Sequence, residues 1–146
     1  AALHFDGRVD VWGNLIARRD IWTPVKQKQL SSDVKSIYSA GSAFAALKAD
    51  GAVVAWGREE FGGDCSKVQD QLREDVHSIY STLTAFAALK TDGSVVAWGK
   101  PEAGGDTRQV ELQLEGGVKS IYSTYAAFAA LKIDGSVVSW GSSTLE

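Results

Sequence analysis

A unit of about 42 residues recurs along this chain, and this period constrains the fold more than any other feature of the sequence. Residues 34–75 and 76–117 agree at 25 of 42 positions without a gap. Residues 118–146 begin a further unit, and residues 1–33 carry part of one followed by a longer connector. Because stacked repeats contact mainly their neighbours, we expect a single repeat domain over residues 1–146.

Each unit has the pattern of a β-hairpin. In the second full unit, the apolar runs 85–90 and 95–98 flank Asp92-Gly93, and Asp-Gly between two such runs is a strong hairpin signal. Alanine alternates with Phe or Trp along both runs, so both faces of the hairpin are apolar and suit stacked sheets. Short strands with aromatic and glycine marks at this period predict an all-β fold, a partial or open β-propeller.

The residues that recur in every unit are expected to build this fold. The tryptophans should pack between blades, and the glycines should form the hairpin turns. These residues are Trp12, Trp56, Trp98 and Trp140, with Gly51, Gly93 and Gly135. We expect Tyr38, Tyr80 and Tyr122 to behave like the tryptophans, with their hydroxyls hydrogen-bonded where buried.

The connector between units has a less specific pattern. It begins with the turn Gly62-Gly63-Asp64, followed by Val68 and Leu72 four residues apart. That spacing allows one helical turn but fits an irregular strand and loop equally well. The sequence therefore leaves both conformations open.

The recurring string resembles the repeat of the RCC1-like (regulator of chromosome condensation) family. It reads Val-x-x-Ile and then Ala-Phe-Ala-Ala-Leu-Lys-x-Asp-Gly-x-Val-Val-x-Trp-Gly, and the family marks its blades with an Ala-Leu, Asp-Gly, Val, Trp-Gly series. The chain departs from the family where Gly-Gly-Asp replaces Gly-Gln-Leu-Gly, and where Phe44, Phe86 and Phe128 stand near the family's histidine. The resemblance implies propeller blades and, from the founding member, regulation of a small GTPase at chromatin.

About three and a half units do not close a ring, so the terminal blades should expose apolar faces. The chain is then a fragment of a longer protein, one of two copies that combine, or a subunit capped by other proteins. We expect other subunits or a second copy to cover these faces. The net charge of −3 argues against nucleic acid, and no apolar run is long enough for a membrane span.

The sequence offers no catalytic, cofactor or metal site. His4 and His77 occupy positions that other units fill with lysine, which indicates exposure. Cys65, the single cysteine, has no base beside it, and it fits a reducing, intracellular compartment. Carboxylate pairs such as Glu59-Glu60 lie in predicted loops. We therefore expect a protein that is not an enzyme.

Recognition should lie where the units differ, because variable loops on a rigid scaffold usually carry binding. The candidate partner-binding residues are Arg18, Arg19, Trp22, Phe61, Leu83 and Tyr125. They predict a non-catalytic protein-interaction or assembly module, a peripheral subunit or fragment of a larger protein or complex. The resemblance adds two alternatives: a small-GTPase regulator, and an accessory subunit of an algal photosynthetic or cytoskeletal complex.

Overall fold

Three antiparallel sheets of the same design follow one another along the chain in the computed structural model, which describes residues 1–13 and 23–142. They are preceded by the two-stranded pair β1 (Ala2–Leu3) and β2 (Val9–Asp10). The sheets comprise β3 (Val34–Ala40), β4 (Ala43–Lys48) and β5 (Val53–Gly57); β6 (Val76–Ser81), β7 (Ala85–Lys90) and β8 (Val95–Gly99); and β9 (Val118–Ser123), β10 (Ala127–Lys132) and β11 (Val137–Gly141). The prediction of an all-β repeat array is confirmed.

The sequence repeat produces the same strand register in each sheet. Phe86 lies opposite Trp98 across β7 and β8, and the two rings stack with centroids 5.3 Å apart. The other sheets repeat this pairing with Phe44–Trp56 and Phe128–Trp140. Because side chains alternate along a strand, one face of each sheet carries the aromatic pair and the other carries alanines. We call these the aromatic face and the alanine face.

The Asp-Gly turns have the geometry that the sequence predicts. Gly51 has φ +84°, and its N–H donates to the carbonyl of Lys48 at 3.0 Å. The carboxylate of Asp50 accepts a hydrogen bond from the N–H of Ala52 at 3.0 Å. A turn closed by a left-handed glycine is a common hairpin connection, and glycine adopts this conformation without steric cost.

Successive sheets stack with the alanine face of one against the aromatic face of the next. The first internal core joins Ala45 and Ala55 of one sheet to Phe86 and Trp98 of the following sheet. The second core repeats the arrangement one sheet later. Small side chains let the rings approach closely, which explains why alanine and aromatic residues alternate in the sequence.

The connectors form 3₁₀-helical turns, which resolves the two conformations that the sequence left open. The turns span Glu59–Phe61, Ser66–Leu72, Pro101–Ala103 and Glu111–Leu114. The longer first connector instead contains the short helix α1 (Pro24–Gln29), which Thr23 caps by accepting from the N–H of Lys26 at 3.2 Å. Neither described range contains a helix long and apolar enough to cross a membrane.

The two connectors that form 3₁₀ turns also fix the tryptophan of the next blade. The indole Nε1–H of Trp98 donates to the carbonyl of Gly62 at 3.0 Å, and Trp140 donates to Gly104 at the same distance. A buried indole needs such a partner, because an unpaired polar atom in the core is costly. The connector therefore sets the spacing between consecutive blades.

The expectation that all four tryptophans pack between blades is wrong for Trp12. Trp56, Trp98 and Trp140 are at most 7% exposed, whereas Trp12 is 61% exposed. The β1–β2 pair packs on the next sheet through Val9 and Val11, and strand alternation places Trp12 on the opposite side. No described sheet lies on that side, so the indole remains in solvent.

Candidate functional site

The last sheet exposes an apolar surface that its counterparts bury. We define the tail face as the alanine face of the β9–β11 sheet, made of Tyr122, Ala127, Ala129, Leu131, Val137 and Ser139. Val137 is 61% exposed, whereas Val95 at the same register one blade earlier is 9% exposed. Tyr122 is 62% exposed, which corrects the expectation that all three repeated tyrosines pack as the tryptophans do. The tail face is therefore a blade surface without a described neighbour.

The opposite end of the array has different chemistry. We define the head face as the outward side of β1–β2, which carries Ala2, Asp10 and Trp12. Asp10 replaces the valine that the other three units place at this register. His4 Nε2 lies 2.6 Å from the Asp10 carboxylate, and this hydrogen bond lowers the pKa of Asp10. The head face therefore presents a hydrogen-bonded carboxylate beside its indole.

The structure brings together two of the residues that the sequence selected. The N–H of Leu83 donates to the carbonyl of Tyr125 at 3.0 Å, and both side chains are exposed. Leu83 also lies over Gly41, where an added Cβ would come within 2.7 Å of the Leu83 carbonyl oxygen. Loops 40–42, 82–84 and 124–126 therefore stack side by side, and we call this surface the loop rim.

The remaining candidates lie elsewhere. Phe61 belongs to the connector after β5, where the Arg58 guanidinium lies 4.4 Å and the Lys100 ammonium 5.9 Å from its ring centroid. These cations cover part of the ring, so Phe61 offers less apolar surface than the loop rim. Arg18, Arg19 and Trp22 lie outside the described residues.

A groove of about 1550 Å³ runs between the connectors that flank β8. Its walls carry both signs of charge, including Lys67, Arg108 and Glu111. Arg108 hydrogen-bonds to Asp106, which lowers the pKa of that carboxyl to about 2. Because neighbouring charges pair in this way, the groove has no field of a single sign that would select a charged ligand.

Cys65 and His77 are the cysteine and histidine of the described repeat sheets and connectors, the side chains best suited to act as a nucleophile or base, and they lie on different elements. Cys65 is buried, and burial raises the pKa of its thiol, which also donates a 3.5 Å hydrogen bond to Gln69. A raised pKa keeps the thiol protonated, whereas a nucleophilic cysteine needs a lowered one. His77 is exposed on β6. Within residues 1–13 and 23–142, no group of three His, Cys, Asp or Glu side chains is placed to hold a metal ion.

Solved structures of RCC1 proteins have this fold. Yeast RCC1 (Prp20) bound to Kap60 is 22% identical with a TM-score of 0.53, and the match covers 74% of this chain and 29% of that one. Prp20p of Saccharomyces cerevisiae, described with its binding to Gsp1p and histones, is 23% identical with a TM-score of 0.52, covering 74% and 30%. Human WBSCR16 is 22% identical with a TM-score of 0.48, covering 74% and 34%.

The two Prp20 structures confirm the resemblance at the level of the fold: the chain is an open array of RCC1-like propeller blades. It spans about a third of the length of these structures. No protein-family model matches the sequence, and no curated protein matches it. The similarity to these structures is therefore one of architecture.

Sequence reasoning selected residues of the loop rim and expected exposed apolar faces on the terminal blades, but it named no residue of the two end faces as partner-binding. Asp10 carried a readable signal, because it breaks a valine position that the other three units keep. Tyr122 carried none, because residues 118–123 match 76–81 at every position except Lys119, which replaces His77. Its exposure depends on the absence of a neighbouring sheet in the structure, which the local sequence does not encode.

Proposed function

We propose that this chain is a non-catalytic protein-interaction or assembly module, a peripheral subunit or fragment of a larger protein or complex. One observation carries the proposal: Tyr122 and Val137 on the tail face are more than 60% exposed, whereas their counterparts on the preceding blade, Tyr80 and Val95, are half-buried and buried. Contiguous apolar surface of this kind marks sites of protein association. Covering it with a partner would remove these side chains from water.

The loop rim supplies a second, more polar region for the same role. Leu83 and Tyr125 are held by a backbone hydrogen bond between neighbouring blades, so their side chains project from a rigid base. Tyrosine is favoured at binding hot spots because it contributes a large contact area at a low cost in side-chain entropy. The rim would give specificity, while the tail face would give apolar contact area.

The alternative function, regulation of a small GTPase, rests on the resemblance. The binding of Gsp1p is a property described for Prp20p, of whose length this chain spans 30%. Acceleration of nucleotide release from a small GTPase by the purified chain would favour this alternative over a passive binding module.

The proposal is tested by affinity capture with the whole chain as bait, using extract from the organism that produces it. We expect a specific protein to be recovered by the parent chain and lost with Leu83→Ser and with Tyr125→Ser. Leu112→Ser is the matched control, because Leu112 is 80% exposed but lies in a connector away from the rim loops. Recovery of no protein, or equal loss with the control, would count against the proposal.

A further inference from the structure

We propose that the tail face docks one further β blade supplied by a partner protein, and that this blade presents a stacked Phe–Trp pair to it. The inference rests on the proposed function and names the class of partner for one of its surfaces.

The chain shows twice what covers an alanine face. The alanine face of the β3–β5 sheet lies against the Phe86–Trp98 pair, and that of the β6–β8 sheet lies against the Phe128–Trp140 pair. Ala85 and Ala87 are fully buried in the second interface. Ala127 and Ala129 repeat these residues on the tail face, so the tail face has the small side chains that accept aromatic rings at close range.

The turn beside the tail face is also built for a following blade. In each earlier unit, the carbonyl of the turn glycine accepts a hydrogen bond from the valine that starts the next sheet; these bonds are Val34–Gly7, Val76–Gly51 and Val118–Gly93, at 3.0–3.1 Å. The incoming backbone comes so close that an added Cβ on Gly51 would lie 2.6 Å from the nitrogen of Asp75. Gly135 keeps the same conformation, φ +87°, with nothing within 4 Å of the equivalent position.

A second copy of this chain fits the tail face poorly. Its described outward face at the other end is the head face, where Asp10 stands at the position that internal interfaces fill with Val96. Docking would take the Asp10 carboxylate out of water together with the His4 side chain that hydrogen-bonds to it, and burying a carboxylate costs free energy unless all its hydrogen bonds are replaced. A polar outer face on an end repeat is a known means of preventing stacking. The partner blade therefore needs an apolar residue at the Asp10 register.

The first experiment supplies such a blade covalently. Residues 1–142 are extended by a second copy of residues 101–142, which carries the connector and the Phe128–Trp140 pair. We expect a higher urea midpoint than for the parent chain, in one cooperative transition. Ala129→Arg should remove most of this gain in the extended chain while changing the parent little. A separate, earlier transition of the added blade, or an equal effect of Ala129→Arg in both chains, would overturn the proposal.

Sedimentation velocity separates a partner blade from a second copy. We expect the parent chain to remain monomeric. Asp10→Val restores an apolar head face, so its dissociation constant for self-association should be at least about tenfold lower than that of the parent. Adding Ala129→Arg to Asp10→Val should abolish that association. Self-association of the parent that Ala129→Arg abolishes would identify a second copy as the occupant and overturn the proposal.

These outcomes are independent of the test of the proposed function. If the added blade fails to dock while capture still depends on Leu83 and Tyr125, the binding module stands and the partner blade is wrong. If docking succeeds while capture recovers nothing, the tail face accepts a blade and the wider binding role through the loop rim fails.

Discussion

Two glycines in identical turns provide a direct measure of how much one blade constrains the turn of its neighbour. Gly51 and Gly135 have φ values of +84° and +87°, and each donates its N–H to a lysine carbonyl at 3.0 Å. They differ in their surroundings, because the following blade covers Gly51 and no described atom lies near the Cβ position of Gly135. We predict that Gly51→Ala destabilises the chain far more than Gly135→Ala.

The magnitudes follow from the two geometries. Alanine in a left-handed conformation costs roughly 1–2 kcal/mol, partly offset by about 0.5 kcal/mol from the stiffer unfolded chain, so Gly135→Ala should cost about 1 kcal/mol. In Gly51→Ala the new Cβ would lie 2.6 Å from the nitrogen of Asp75, so the backbone must shift. That shift weakens the 3.1 Å hydrogen bond from Val76 to Gly51. The left-handed conformation costs about 1 kcal/mol, as in Gly135→Ala. The weakened hydrogen bond and the displaced packing each add about 1 kcal/mol, so Gly51→Ala should cost about 3 kcal/mol in total.

Urea denaturation followed by tryptophan fluorescence tests the difference. With a slope of about 2 kcal/mol/M, a difference of about 2 kcal/mol separates the two midpoints by about 1 M. The slopes should agree, because both variants unfold the same surface. Equal midpoints would refute the reasoning. They would show that the left-handed backbone conformation is the whole cost of either substitution, and that the close approach of the next blade to Gly51 adds nothing to the free energy.

Three further predictions concern single side chains. Phe86→Ala should lower the free energy of unfolding by about 3–5 kcal/mol because Phe86 is fully buried, whereas Phe5→Ala, at a fully exposed position, should change it by less than about 0.5 kcal/mol in the same urea assay. Arg108→Ala should raise the pKa of Asp106, measured by NMR, from about 2 towards its ordinary value. Because the folded-state pKa of Asp106 is lowered, the stabilisation from this pair is present above about pH 4 and is lost as the pH falls towards 2. An unchanged pKa in the variant would contradict the role of Arg108. Cys65 should react with a thiol reagent much more slowly in the folded chain than in urea, and equal rates would show that the thiol is not buried.

Most of the fold was predictable because the repeat encodes it locally. The Asp92-Gly93 pair fixes a hairpin, and the hairpin fixes Phe86 opposite Trp98. The connector was not predictable to the same degree, because Val68 and Leu72 satisfy a helical turn and an irregular strand equally. Its 3₁₀ conformation depends on burying Leu72 beneath the neighbouring sheet, which is a tertiary effect.

The candidate site was less predictable, because exposure at the ends of an array is not a property of the unit. Tyr80 and Tyr122 have nearly identical sequence neighbours, yet only Tyr80 packs against a buried core. The same argument explains Trp12, which shares its motif with buried tryptophans. A repeat predicts what a residue contacts when a neighbouring blade is present. The number of units predicted exposed terminal faces, and the structure shows which side chains those faces carry.

The two ends of this array therefore differ for a physical reason. Each internal interface needs an apolar side chain at the register of Val96, opposite alanines such as Ala55. The head face has Asp10 in place of that apolar side chain, and the Asp10 carboxylate is hydrogen-bonded to His4. The tail face keeps the small residues of an internal interface, with Ser139 in place of one alanine. We therefore expect this single charged residue to make stacking unfavourable at the head face, because docking would take its charge out of water. The array thus has a direction, with a carboxylate on its head face and an exposed tyrosine and valine on its tail face.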